Sequence, residues 1–369
     1  MKEENGFKLI TKYRGAIMGF SALMILFFHE WVTLFEAYPK IYDVERYLKV
    51  VGFVGVDIFL FLSGIGLTFS IGKSSLGKFY YRRIKRIIIP FVVIAVFRLI
   101  LEKWPIETFW KNISGFNFYN VSIYSFLWFV PAILTLYLLF PLYYKFFSKS
   151  KNKVLFTLCV LMIWLILSIY FREEIRIDLF GFTNRIPIFV IGILVGWITQ
   201  NKEVVFNKTT WVFLCLMLLL GIYLSYLTNF LGWSILVPIS NCGFPNMLIA
   251  ISFSFLLPKF FDIISNIKIV KHPNNAIVKI LAFYGVFSLE IYCVQEWLGR
   301  LIFPEIIGKY TDIQMNIIIL ICVTVCGYAL YWVQKLFWKP IDWSINKLTK
   351  KDETKNADSE EVLLKTTQN

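Results

Sequence analysis

The stretch "ALMILFFHEWVTLF", residues 22–35, decides how this chain is read. It is apolar almost throughout, as a segment surrounded by lipid must be, yet His29 and Glu30 sit side by side within it. Apolar runs of about 20 residues, each long enough to cross a ~30 Å hydrocarbon core as a helix, recur along the whole length. Hydrophobic residues make up 58% of the 369 and charged residues only 17%. A membrane β-barrel would instead show alternating segments of about ten residues. The fold class is therefore all-α, a polytopic transmembrane bundle. Ten spans are expected, at 15–35, 50–71, 86–102, 124–146, 153–171, 183–200, 211–229, 235–257, 279–302 and 313–337. The eighth contains "SNCGFPN" (240–246), where Gly and Pro are expected to interrupt the helix.

The net charge of +14 raises nucleic acid as a partner. The membrane setting gives a better account: most of the 38 lysines and arginines fall in loops that alternate topology places on one side, which identifies that side as cytoplasmic. Both termini are then cytoplasmic. Residues 1–338 form the transmembrane domain, and 339–369 a polar, partly disordered tail. The start "MKEENGFKLI" lacks the pattern of a cleaved signal peptide. The six cysteines show no metal-binding spacing, and no metal is expected.

An ionisable group inside a span is costly and marks a functional site by default. At ~1.5 Å per residue, His29 and Asp57 reach similar depth in the outer half of the first and second spans. Arg185 and Trp128 open the sixth and fourth from the same side, and Glu290, Tyr292 and Gln295 lie in the middle to outer part of the ninth. Matched depth points to a shared cavity opening outward. The rival reading is an ion-pair cluster in which Asp57 pairs with Arg185. The loop "GKSSLGKFYYRRIKR" (72–86) carries Lys73, Lys78, Arg82, Arg83, Lys85 and Arg86. These mark topology and contact anionic lipid, and they also suit phosphate recognition.

Taken in order, "IMGFSALMILFFH", "GFVGVDIFLFLSGIGL", "KFYYRRIKRIIIP", "LWFVPAILTLYLLFPL", "RIPIFVIGILVG" and "FYGVFSLEIYCVQ" resemble the acyltransferase 3 family over residues 14–335. These are bacterial integral-membrane acyltransferases. The resemblance implies transfer of an acyl group, usually acetyl, from cytoplasmic acetyl-CoA to a hydroxyl of an envelope polysaccharide or its lipid-linked precursor, in the inner membrane. His29 matches the family's catalytic histidine, Asp57 its Gly-Val-Asp motif, and Arg82, Arg83 and Arg86 its basic motif. Three positions depart from the family: Met18 stands where an arginine is usual, with Arg14 one turn earlier as its substitute. Ile133 stands where many members carry Glu, and Gln295 where many carry His.

The chemistry follows. O-acyl transfer needs a hydroxyl deprotonated as it attacks a thioester, and histidine is the usual general base near neutral pH. His29 is expected as that base, Asp57 as its orienter or a local structural partner, and Arg185 as a group that balances charge or stabilises the developing oxyanion. Arg14, Arg82, Arg83 and Arg86 are expected on the acyl-CoA phosphates, and Trp128, Glu290, Tyr292 and Gln295 on the acceptor. The competing function is a transporter or flippase of a lipid-linked sugar. It would show paired, broken helices in repeated halves, whereas the sequence offers one interrupted span and no repeat.

Overall fold

The computed structural model describes residues 5–122, 125–170, 180–233, 243–266 and 271–366, with side chains described to residue 342 except at 180, 266 and 271–275. Every regular element among them is a helix: α1 Gly6–Glu30, α2 Pro39–Val51, α3 Val54–Ser70, α4 Leu76–Leu101, α5 Ile106–Ile113, α6 Phe116–Asn120, α7 Phe129–Lys149, α8 Lys153–Tyr170, α9 Phe180–Thr183, α10 Ile186–Asn201, α11 Lys208–Phe230, α12 Gly243–Asn266, α13 Lys271–Val286, α14 Ser288–Ile306 and α15 Asp312–Thr366. Among the described residues, eight helices are long and apolar enough to cross a membrane, or nine if the bent pair α13–α14 counts as one span. α4 occupies the expected third span but carries Arg82, Arg83, Lys85, Arg86 and Arg98. Of the expected tail, 339–369, the backbone continues α15 as far as Thr366, with side chains described only to Asp342.

Helix starts differ from the apolar runs for reasons of capping. α1 begins at Gly6, well before the run, because the Asn5 side chain accepts the Phe7 and Lys8 amides at 3.1 and 3.2 Å. Ser75 caps α4 in the same way, through the Lys78 amide, and so brings the basic motif onto the helix. The expected eighth span, 235–257, is described only from Gly243 onward. Residues 240–242 lie outside the described residues, but Gly243 to Asn246 form the first turn of α12. A proline is tolerated there because its missing N–H has no intrahelical partner.

Among the described residues a break falls in the ninth span. α13 and α14 meet at 73° around Phe287, within "YGVFSLE", where a glycine and a serine flank the bend. The bend frees the Val286 carbonyl from the helix ladder, and Arg86 of α4 donates to it at 3.0 Å.

Two backbone-close seams hold the centre. A Cβ on Gly19 would land on the Leu281 carbonyl of α13, and one on Gly285 would land on the Gly15 carbonyl of α1. A Cβ on Gly192 of α10 would likewise meet the Phe61 carbonyl of α3. In lipid, where apolar side chains gain little by leaving their solvent, such close backbone packing is a main source of helix association.

Between α1 and α2, the chain is tied to α2 and to α15. The buried Glu45 carboxylate accepts from Trp31 Nε1 (2.8 Å), Leu34 N (2.9 Å) and Phe35 N (3.1 Å). Lys49 donates to the Trp31 carbonyl, and Asn316 of α15 exchanges two 2.8 Å hydrogen bonds with the Val32 backbone.

Candidate active site

Five helices, α1, α3, α4, α7 and α14, leave a cavity of about 110 Å³ between them. On α1 its lining residues are Met18 and Ile25. Arg14 precedes Met18 by four residues and His29 follows Ile25 by four, so helical spacing puts all four on one face. That face leads from Arg14, past the cavity, to His29, which is exposed at the end of α1.

The neighbours agree in direction. A Cβ on Gly66 of α3 would sit 3.0 Å from Arg14 Nη2, while one on Gly55 would press on Ser21 and Ile25. α3 is therefore antiparallel to α1. At the Arg14 end the cavity is bounded by Met18, Ser63, Tyr137, Arg86 and Ser288; towards His29 it is bounded by Ile25, Val56, Phe129 and Tyr292. Seven residues of helix between Met18 and Ile25 make it about 10 Å long. Its walls are mainly apolar, with Phe59 and Ile133 at mid-length.

The arginines at the Arg14 end differ in what they hold. Arg86 pairs with the fully buried Glu290 and donates to Gln334 Oε1 at 2.7 Å, besides capping Val286. Gln334 in turn donates to the Lys85 and Arg86 carbonyls at 3.0 Å. Arg86 thus splices α4 to the broken span and to α15, and both its terminal nitrogens are already engaged. Arg83 donates to Ser70 and lies over the rings of Phe79 (5.3 Å) and Tyr137 (6.0 Å). Neither Arg14 nor Arg83 has a carboxylate partner among the described residues, and the buried Nε of each lacks a hydrogen bond. Arg82, exposed, donates to Ser74.

Of the residues expected at one depth, three come together. Arg185, N-terminal to α10, stands 3.4 Å from the buried Asp57 carboxylate and lies over Trp128 at 5.3 Å and Phe53 at 5.8 Å. Phe53 contacts Phe28, whose ring is 4.9 Å from that of His29. Asp57 therefore faces Arg185, and its Oδ2 has no hydrogen-bond partner. Glu290 does not join this group, because it is bound to Arg86 at the other end. Tyr292 lines the cavity and accepts a hydrogen bond from the Phe129 amide at 3.1 Å. Gln295 is buried one turn further along α14. Glu30 lies against Gly299, where the absence of a side chain makes room for its carboxylate.

Sequence reasoning missed Tyr137, Ser63 and the Glu290 partner. Tyr137 and Ser63 carry no charge to draw attention, and Arg86 and Glu290 are 204 residues apart.

A family model described as an acyltransferase domain matches residues 17–333. No protein of curated function and no solved structure matches the chain.

Proposed function

The chain belongs to the acyltransferase 3 family and is a membrane acyltransferase; on that premise we propose that it moves an acetyl group from cytoplasmic acetyl-CoA to a hydroxyl of an envelope polysaccharide or its lipid-linked precursor, in the bacterial inner membrane. The observation that carries this reading is the single α1 face that joins Arg14, the cavity and His29. It aligns a cationic mouth, an apolar bore and a base.

In this reading the N-terminal end of α1 is cytoplasmic, as the distribution of lysine and arginine argues. Arg14 and Arg83, without carboxylate partners, take the CoA phosphates, helped by Arg82 at the rim. Arg86 serves as a structural splice, since Glu290 already neutralises it. The pantetheine arm enters the cavity between Tyr137 and Met18 and brings the thioester towards the His29 end. There His29 takes the proton of the acceptor hydroxyl as its oxygen attacks the thioester carbonyl carbon. The new C–O bond forms, the C–S bond breaks, and the departing thiolate takes that proton back from the imidazolium. His29 is regenerated, and the products are ester and free CoA.

Asp57 and Arg185 act as a strut. Their pairing fixes α3 against the start of α10, and Arg185 carries Trp128 on its face. The transporter reading gains one broken span, α13–α14. Arg86 closes the carbonyl that this break opens, so the carbonyl is not left for an ion.

The test is acetyl transfer from radiolabelled acetyl-CoA into envelope glycan, in membranes holding wild-type protein or His29→Ala at equal level. Label with wild type and none with the variant supports the reading. Equal label in both removes His29 as the base.

A further inference from the structure

Two buried side chains on the cavity side of α14 have hydrogen-bonding capacity that no neighbour takes up. Tyr292 is 7% exposed. Its oxygen accepts the Phe129 N–H at 3.1 Å, and its ring packs edge-on against the Phe129 ring with centroids 5.5 Å apart. These contacts fix the phenol, but its own proton meets no acceptor among the described residues. Gln295 is 1% exposed, and neither its Nε2 nor its Oε1 has a partner. A buried polar group left this way is destabilising, because its lost hydration is not replaced. A leucine at 295 and a phenylalanine at 292 would fill similar space without that cost.

The two residues share a stripe with Ser288 and Gly299, at spacings of four, three and four along α14. Ser288 and Tyr292 line the cavity. Gly299 lies against Glu30, the residue next to His29. The stripe therefore runs from the bore to the neighbourhood of the base, and it presents an O–H and an amide N–H where the thioester arrives.

We propose that Tyr292 and Gln295 are catalytic donors to the thioester carbonyl oxygen, forming an oxyanion hole inside the membrane. This rests on the acyl-CoA reading above and specifies which groups hold the reacting carbonyl. As the hydroxyl oxygen bonds to the carbonyl carbon, the C=O electron pair moves onto oxygen. The Tyr292 O–H and a Gln295 N–H receive that charge. When the intermediate collapses, the pair returns to re-form C=O and the C–S bond breaks. The thiolate then takes the proton held by His29. The Phe129 N–H, by drawing on the phenol oxygen, makes the phenol a stronger donor. In a dry, low-dielectric site such donors need no reorganisation and count for more than in water.

The experiment compares wild type, Tyr292→Phe and Gln295→Leu, each as the full chain in membranes, for kcat and for KM towards acetyl-CoA. The expected result is a kcat lower by about 10²-fold or more for Tyr292→Phe, with KM changed less than about threefold. A second readout needs no acceptor: the infrared carbonyl band of acetyl-CoA carrying ¹³C at the thioester carbon, bound to purified His29→Ala protein. That band should rise in wavenumber when Tyr292→Phe is added, as a hydrogen bond to the carbonyl is lost. An unchanged kcat in both variants, or a band that does not move, overturns the assignment while leaving acyl transfer standing. If wild type itself transfers no acetyl and binds no thioester, the acyl-CoA reading falls and takes this assignment with it.

Discussion

α1 shows two unlike faces. Towards α13, at Gly15 and Gly19, two backbones touch with no side chain between them. About a quarter-turn round the same helix, Arg14, Met18, Ile25 and His29 face a space that five helices leave open. On the closed face the Lys12 ammonium is paired, with Asp262 of α12 at 2.6 Å. The open face collects partners with capacity left over: Arg14, Arg83, Tyr292 and Gln295. The contrast teaches a division of labour within one span. Glycine contact makes α1 immovable, so that the face beside it is free to be incompletely satisfied and chemically useful.

Variants on the two faces should therefore fail in opposite ways. The largest effect is expected at His29→Ala, with acetyl transfer down by at least about 10²-fold and thermal unfolding in detergent unchanged. A protein that unfolds instead would place His29 among the packing residues. Next comes Arg185→Ala. It leaves a buried carboxylate uncompensated, and about 3–5 kcal/mol of stability should be lost. If turnover per folded molecule holds, Asp57 and Arg185 belong with the structural side of the comparison; if it collapses while stability holds, Asp57 belongs to the chemistry.

Gly19→Leu forces a side chain into the Leu281 carbonyl and should cost about 3 kcal/mol or more, read as a lower unfolding temperature. Surviving molecules should keep wild-type KM. Arg14→Ala should leave the unfolding temperature in place and raise KM for acetyl-CoA about tenfold, the worth of one charged hydrogen bond. The smallest change is expected for Arg82→Ala, within about twofold in KM, because an exposed charge is screened by water and salt.

Much of this architecture is visible in the sequence because a lipid-facing helix must be apolar along its length. Runs such as 153–171 and 211–229 fall close to α8 and α11. Depth counting also located the Asp57–Arg185–Trp128 group, since an ionisable side chain in a span must find company at its own level. It failed for Glu290. The bend at Phe287 turns the chain by 73°, so counting residues along a straight span puts that carboxylate too near the His29 end. The basic motif misled in a related way. Six cations in one loop look alike, yet only the fold decides that Arg86 meets a carboxylate while Arg83 meets none. The cavity has no sequence signature. It is the volume that side chains from five separate helices fail to fill.

The short connection after Glu30 has a consequence of its own. Its amides, its indole and two of its carbonyls are moored to Glu45, Lys49 and Asn316, which come from α2 and from the far end of the chain. A helix moored at its tip cannot swivel about its axis. The compass bearing of the His29 imidazole is thus set in part from outside its own helix, and a change at position 45 or 316 would be felt as a base pointing elsewhere.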